Sequence, residues 1–194
     1  MNVYDFDKTI FNPDSSAKFI AYCIKKKPYT AYVLPSAMFG YIKYKMGFQV
    51  KDRAKEKIFR LIRHFQPLDK YVEDFWNKNK KGISKYYINQ QKSDDVVISA
   101  SPSFLLRGIC KELGVGTLIA SECDEKTGKW LRPNCYGEEK VRRFREVFGD
   151  AEIDEFYSDS FSDEPLAKIA KKAYIVDREN LTPWEEARRQ AKNC

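Results

Sequence analysis

After one short strand-like run at residues 2–6, this chain shows no strand-like pattern for about ninety residues. Short apolar runs then alternate with helical segments to its end. A strand cannot stand alone, because its backbone groups need partners, so the first run must join the later ones in a common sheet. Alternating strands and helices specify a parallel α/β sheet with helices on both faces. The long block without strands must therefore be inserted between the first and second strands. The expected organisation is an α/β core from residues 1–13 and 89–194 and an all-helical insert over 14–88.

Within the insert, apolar spacing predicts three to five helices. Phe19, Ile20, Cys23 and Ile24 share a face over 15–26, with Ser15 or Ser16 as N-cap. Ile58, Phe59, Ile62 and Phe65 do so over 51–65, and Val72, Phe75, Trp76 and Ile83 over 69–88. In the core, strands are predicted at Val96–Ile98, 117–120, 153–157 and 174–176. Helices are predicted at 103–113 (closed by Gly114), 138–148 (stopped by Gly149) and 163–172. Lys126-Thr127-Gly128 marks a hairpin, and a last helix should start with Thr182 as N-cap and Pro183 at its first position.

Composition excludes several classes. No stretch of 18 residues is free of charge, so no spanning helix is expected. No basic-then-apolar leader precedes the first strand, and the five cysteines are odd in number and scattered, with His64 the one histidine. They form no zinc pattern and read as reduced thiols of a cytoplasmic protein. His64 itself is assigned to the surface or end of a helix. Charge is unevenly placed. Residues 14–90 carry 17 Lys and Arg against 6 Asp and Glu, whereas the remainder carries 18 against 22. The basic insert should face an anion.

Asp5 and Asp7 close the first strand on one face, because side chains at i and i+2 of an extended segment point the same way. The carboxyl ends of parallel strands are where open α/β sheets bind ligands. Two carboxylates there suit a divalent cation, or a nucleophile beside a proton donor. Ser99 follows the second strand, where its hydroxyl and the next backbone N–H groups, starting with Ala100, can hold a phosphoryl oxygen at a helix N-terminus. Ser101 is a second hydroxyl in reach. Lys140 opens a helix, and Asp159 follows the strand 153–157 with Asp163 four residues on. Arg142 and Arg143 are assigned to the surface.

In this order, Asp5-Phe6-Asp7-Lys8-Thr9, Val97-Ile98-Ser99-Ala100-Ser101, Lys140 and Ser158-Asp159-Ser160-Phe161-Ser162-Asp163 resemble the four motifs of the haloacid dehalogenase-like phosphohydrolases. The likeness is greatest to the phosphoserine phosphatase branch, which includes phosphatidylglycerophosphatase C-like proteins. It implies a Rossmann-like core with a helical cap. It also implies an aspartyl-phosphate on Asp5, with Asp7 as acid and base, and phosphate binding by Ser99, Ala100 and Lys140. Mg²⁺ would be held by Asp5, the Asp7 carbonyl and Asp159, with Thr9 and Asp163 in support. Ser158 replaces the glycine usual before the fourth-motif aspartate.

The insert should select the substrate. Asp14 matches an acidic position that reads the amino-acid part in phosphoserine phosphatases, whereas none of Arg53, Arg60 and Arg63 is a clear counterpart of their cap arginine. Pro28–Ile42 is uncharged and aromatic, with Tyr29, Tyr32 and Phe39, and lysines 25–27, 43 and 45 flank it. It reads as a pair of cap helices or as an interfacial segment. The expected substrate is a small or amphiphilic phosphomonoester, with phosphoserine or a phosphatidylglycerophosphate-like lipid phosphate as the alternative readings, the lipid reading bringing peripheral membrane contact through the cap. Binding of nucleic acid is not expected. A non-catalytic protein whose basic insert grips nucleic acid or membrane is the alternative from another class.

Overall fold

The computed structural model describes residues 1–45 and 51–192, with side chains 40–54 outside that description. Tyr41, Lys43, Lys45 and Arg53 thus fall outside the described side chains. β1 (Asn2–Tyr4) is followed by α1 (Ser15–Lys26), a 3₁₀ turn at Pro28–Tyr32, α2 (Val33–Lys45), α3 (Lys51–Phe59), a 3₁₀ turn at Arg60–His64, α4 (Leu68–Asn79) and α5 (Lys85–Gln90). The chain then alternates through β2 (Val96–Pro102), α6 (Ser103–Glu112), β3 (Thr117–Ser121), α7 (Glu138–Phe148), β4 (Ile153–Ser158), α8 (Glu164–Ala167) and β5 (Ala170–Asp177). It closes with β6 (Asn180–Pro183) and α9 (Trp184–Lys192).

The sheet order is β3-β2-β1-β4-β5-β6, parallel except for β6, which returns antiparallel on β5. β1 is interior, with Val3 beside Val96 of β2 and Phe156 of β4. Interior parallel strands are buried on both faces, and all three residues of β1 are buried. Its alternation splits the core. Tyr4 stacks on Tyr157 at 4.6 Å and belongs to a cluster with Phe6, Phe19, Phe75 and Phe104, which joins the inserted helices to one face of the sheet. Val3 belongs to the other cluster, with Ile98, Phe144, Phe156 and Trp184. Each large apolar side chain so buried contributes about 1.5–3 kcal/mol.

Several boundaries differ from expectation, each for a local reason. Asp14, not Ser15 or Ser16, caps α1, its carboxylate accepting from the Ala17 N–H at 2.8 Å. The helix expected over 163–172 is a 3₁₀ turn plus the four residues of α8, because residues 170–177 pair with β4 instead. Thr182 and Pro183 do not start the last helix but end β6, where pairing with β5 outweighs capping. The turn at 126–128 closes by the Asp124 N–H to the Lys129 carbonyl at 2.8 Å and a single bridge, Cys123 to Trp130. Arg143 is buried rather than exposed. It lies three residues from Lys140 and one before Phe144, on the helix face turned to the sheet, and donates to the carbonyls of Ala120 and Pro133.

Candidate active site

The carboxyl ends of β1, β2 and β4 and the start of α7 surround a cavity of about 320 Å³. Asp5 continues β1 by one hydrogen bond, its N–H donating to the Tyr157 carbonyl at 2.8 Å. The chain then folds back, with the Phe6 carbonyl accepting from the N–H groups of Thr9, Ile10 and Phe11. This tight loop sets Asp7 beside Asp5 at the cavity wall. Ser15 donates its N–H to Asp7 Oδ1 at 2.6 Å, and Ser101 donates its hydroxyl to Asp7 Oδ2.

Lys140 is buried in the first turn of α7. Its Nζ donates to Asp5 Oδ1 at 2.7 Å and to Asp163 Oδ2 at 2.6 Å. Ser158 donates to the same Asp163 oxygen at 2.8 Å. Burial alone would lower the Lys140 pKa, but the Asp5 and Asp163 carboxylates hold its ammonium well above the usual range. Burial pushes the Asp5 carboxyl up, with Asp163 and Asp7 adding repulsion against the pull of Lys140. Burial also raises Asp7, helped by Asp14 and opposed by the bonds from Ser101 and Ser15. Asp159 is raised by burial first as well, with Lys8 pulling the other way. A raised carboxyl pKa suits a group that must hand over a proton near neutrality.

The cluster holds more carboxylate than its one buried cation can neutralise. Among the described residues, no group of three or more His, Cys, Asp or Glu could hold a metal ion by itself. Magnesium does not need one, since it takes one or two carboxylates and completes its shell with water and phosphate. Asp5 and Asp159 line the same cavity, and Asp163 Oδ1 is buried without a partner. The donor set fits that ion.

Ser99, Ala100 and Ser101 line the cavity just before α6. Ser99 Oγ accepts the Ser101 N–H at 3.0 Å, so the first serine shapes the loop while the second faces Asp7. Thr9 was expected to support the loop by hydrogen bonding, but its side chain is buried and its Oγ1 has no partner. The loop is held instead through the Thr9 carbonyl, which accepts from Tyr86 Oη at 2.9 Å and Ser84 Oγ at 3.3 Å. Asp14 reaches the cavity; Tyr29, Tyr32 and Phe39 are exposed and do not line it. Their 3₁₀ turn and helix place them outward, where Tyr32 Oη meets His64 Nε2 at 3.1 Å and accepts from Arg63 at 2.6 Å.

Sequence reasoning missed Lys55, Ser16, Asn134 and Tyr136, which also line the cavity. Lys55 Nζ donates to the Ala100 carbonyl at 2.5 Å, joining α3 of the insert to the second motif. Nothing in its sequence neighbourhood separates it from the other lysines of the insert. Asn134 Oδ1 accepts from Ser121 Oγ, which also accepts the Cys135 N–H, so that loop is fixed by β3.

The family profile of the haloacid dehalogenase-like hydrolases matches residues 3–168 and so spans every residue of this cluster. The chain belongs to that family. Among solved structures, this hydrolase is similar to a protein of unknown function from Bordetella pertussis Tohama I, with a TM-score of 0.79 and 20% identity over 100% of this chain and 95% of that one. A phosphoserine phosphohydrolase-like protein from Francisella tularensis aligns at TM-score 0.58 and 14% identity, covering 89% and 86%. A substrate-bound phosphoserine phosphatase complex aligns at 0.53 and 16%, covering 88% and 82%. At these identities the likeness establishes the shared fold. No curated protein sequence matches the chain.

Proposed function

We propose that this hydrolase is a Mg²⁺-dependent phosphomonoesterase that works through an aspartyl-phosphate on Asp5. The observation that supports it most directly is the pairing of Asp5, held by the buried Lys140, with Asp7, held by Ser15 and Ser101, in one cavity. An Asp5 carboxylate oxygen attacks phosphorus, the ester P–O bond breaks, and the departing oxygen takes the Asp7 proton. Asp7, now ionised, removes a proton from water as that water attacks phosphorus, releasing phosphate and restoring Asp5. Lys140 and the donors of the Ser99–Ser101 loop offset charge on the phosphoryl oxygens. Asp5, Asp159 and the Asp7 carbonyl would hold Mg²⁺, which when bound neutralises phosphate charge.

The test is hydrolysis of an aryl phosphate with Mg²⁺. Chelation should abolish it, Asp5→Asn should eliminate both turnover and acid-stable labelling by radioactive phosphate, and Asp7→Asn should lower the rate ~10²–10⁴-fold. Full activity of Asp5→Asn would reject the mechanism.

We assign a small or amphiphilic phosphomonoester as substrate, given the size of the cavity. Phosphoserine is a candidate through the likeness to the phosphoserine phosphatase structure. One observation favours a lipid phosphate: Tyr29, Tyr32, Leu34 and Met38 expose apolar surface on consecutive turns of the insert. No described helix is long and apolar enough to cross a membrane, and the contact we propose here is a peripheral one. A phosphatase screen across soluble and lipid phosphates, repeated after replacing Tyr29 and Tyr32 with serine, separates the two. Selective loss on lipids supports membrane contact, and equal loss on both assigns these side chains to packing alone.

A further inference from the structure

A second cavity, of about 270 Å³, adjoins the phosphoryl site and shares Lys8 and Asp159 with it. Arg178, in the turn between β5 and β6, lines its other side with Asp177. Lys8 (φ 58°) and Arg178 (φ 59°) are the two non-glycine residues with positive φ among the described residues. Such backbone crowds Cβ and so costs energy for any residue but glycine, with Asn and Asp the best tolerated of the rest. Here both positions carry long cations, and both line one cavity. A disfavoured conformation persists where its surroundings over-determine it, and such positions cluster at binding sites.

The surroundings do fix both residues, and through the same stretch of chain. On one side, Asn12 N–H donates to the Gly82 carbonyl at 2.9 Å and Ser84 N–H to the Ile10 carbonyl at 2.8 Å, fastening the loop of Lys8. A Cβ on Gly82 would meet the Asn12 carbonyl oxygen at 2.6 Å, so only glycine permits this approach. On the other side, Glu179, next to Arg178, accepts the N–H groups of Lys85 and Tyr86 at 3.1 and 2.9 Å. Residues 82–86 thus hold the Lys8 loop and the Arg178 turn together. Two long, flexible cations on a preorganised frame lose less freedom when they close on a ligand.

We propose that Lys8 and Arg178 form a second anion subsite, so that preferred substrates carry a phosphate or carboxylate in addition to the phosphomonoester that is cleaved. Asp159 and Asp177 also line this cavity, Asp159 serving the phosphoryl site, so an anion is recognised by direct contact with the Lys8 and Arg178 donors and not by net charge. This inference rests on the phosphomonoesterase reading for its substrate class, but binding tests it without turnover.

The experiment compares propyl phosphate with propane-1,3-diol bisphosphate and 3-phosphooxypropanoate, which add a phosphate and a carboxylate respectively. In the turnover-deficient Asp5→Asn variant, calorimetry should show at least one bis-anionic compound binding about tenfold or more tighter than propyl phosphate, and which one does so identifies the anion. Arg178→Gln should erase that advantage while leaving propyl phosphate binding unchanged, and with the active enzyme the loss should fall on KM. Arg178→Gly should erase it too, yet raise the thermal midpoint, because glycine accepts positive φ freely. Equal affinities for all three compounds, or an advantage that survives Arg178→Gln, would overturn the subsite. Absent turnover with intact selective binding would instead count against the phosphomonoesterase reading.

Discussion

Replacing Lys140 with methionine keeps most of the side-chain volume and removes the one ammonium between two buried carboxylates. Lys140 is 2% exposed, Asp163 3% and Asp5 8%, so solvent cannot substitute for the lost partner. Breaking a buried pair from one side costs about 3–5 kcal/mol, because the remaining charge stays desolvated. For a chain of this length that corresponds to a fall of about 6–20 °C in Tm. Asp5→Asn removes charge from the crowded side and leaves the Lys140–Asp163 contact at 2.6 Å, so it should stay within about 1 kcal/mol of the parent. The double variant should then be more stable than the sum of the single effects by ~1 kcal/mol or more, since Lys140→Met no longer strands Asp5. Urea unfolding followed by far-UV circular dichroism, with all four proteins at one pH, measures this cycle. A Lys140→Met variant with the parent's midpoint, or a strictly additive double variant, would refute the reasoning.

Three further outcomes follow from the same packing. Gly128 has φ 76° and a Cβ there would lie 2.2 Å from the Phe59 carbonyl oxygen, so Gly128→Ala should cost about 2–4 kcal/mol in urea unfolding by separating the 122–130 loop from α3. Burial pushes the thiols of Cys23, Cys110 and Cys123 up to about 12 and that of Cys135 to about 11, so these four should resist alkylation at neutral pH until the protein is denatured, as counted by mass spectrometry. Burial, then Arg63 and Lys27, lower the His64 pKa from its ordinary 6.5, so the unfolded state binds the proton first and stability should decline as pH falls through that value. His64→Gln should remove this component from the pH profile of unfolding.

Much of the architecture was legible because it is written in short-range periodicity. The run Asn2–Phe6 and the later apolar runs announced strands, and the four-residue spacing of Phe19 and Cys23 announced α1. The pairing of Asp5 with Asp7 also needed only strand alternation. Arg143 was within reach of the same logic, since it shares a helix face with Lys140 and Phe144, and it was misplaced because charge was weighed above phase.

By itself the sequence determined the α/β class, the insertion between the first two strands and the carboxylates at the strand end, all of which depend on residues near one another in the chain. Tertiary structure alone decided whether residues 170–177 form helix or strand, because pairing with β4 is a contact between distant segments. It decided that Ser101, not Ser99, faces Asp7, and that Lys55 reaches the Ala100 carbonyl, since both depend on how the inserted helices settle against β2. It also brought Lys8 and Arg178 to one cavity across 170 positions of chain, because both are fastened to residues 82–86, which no local pattern connects to either.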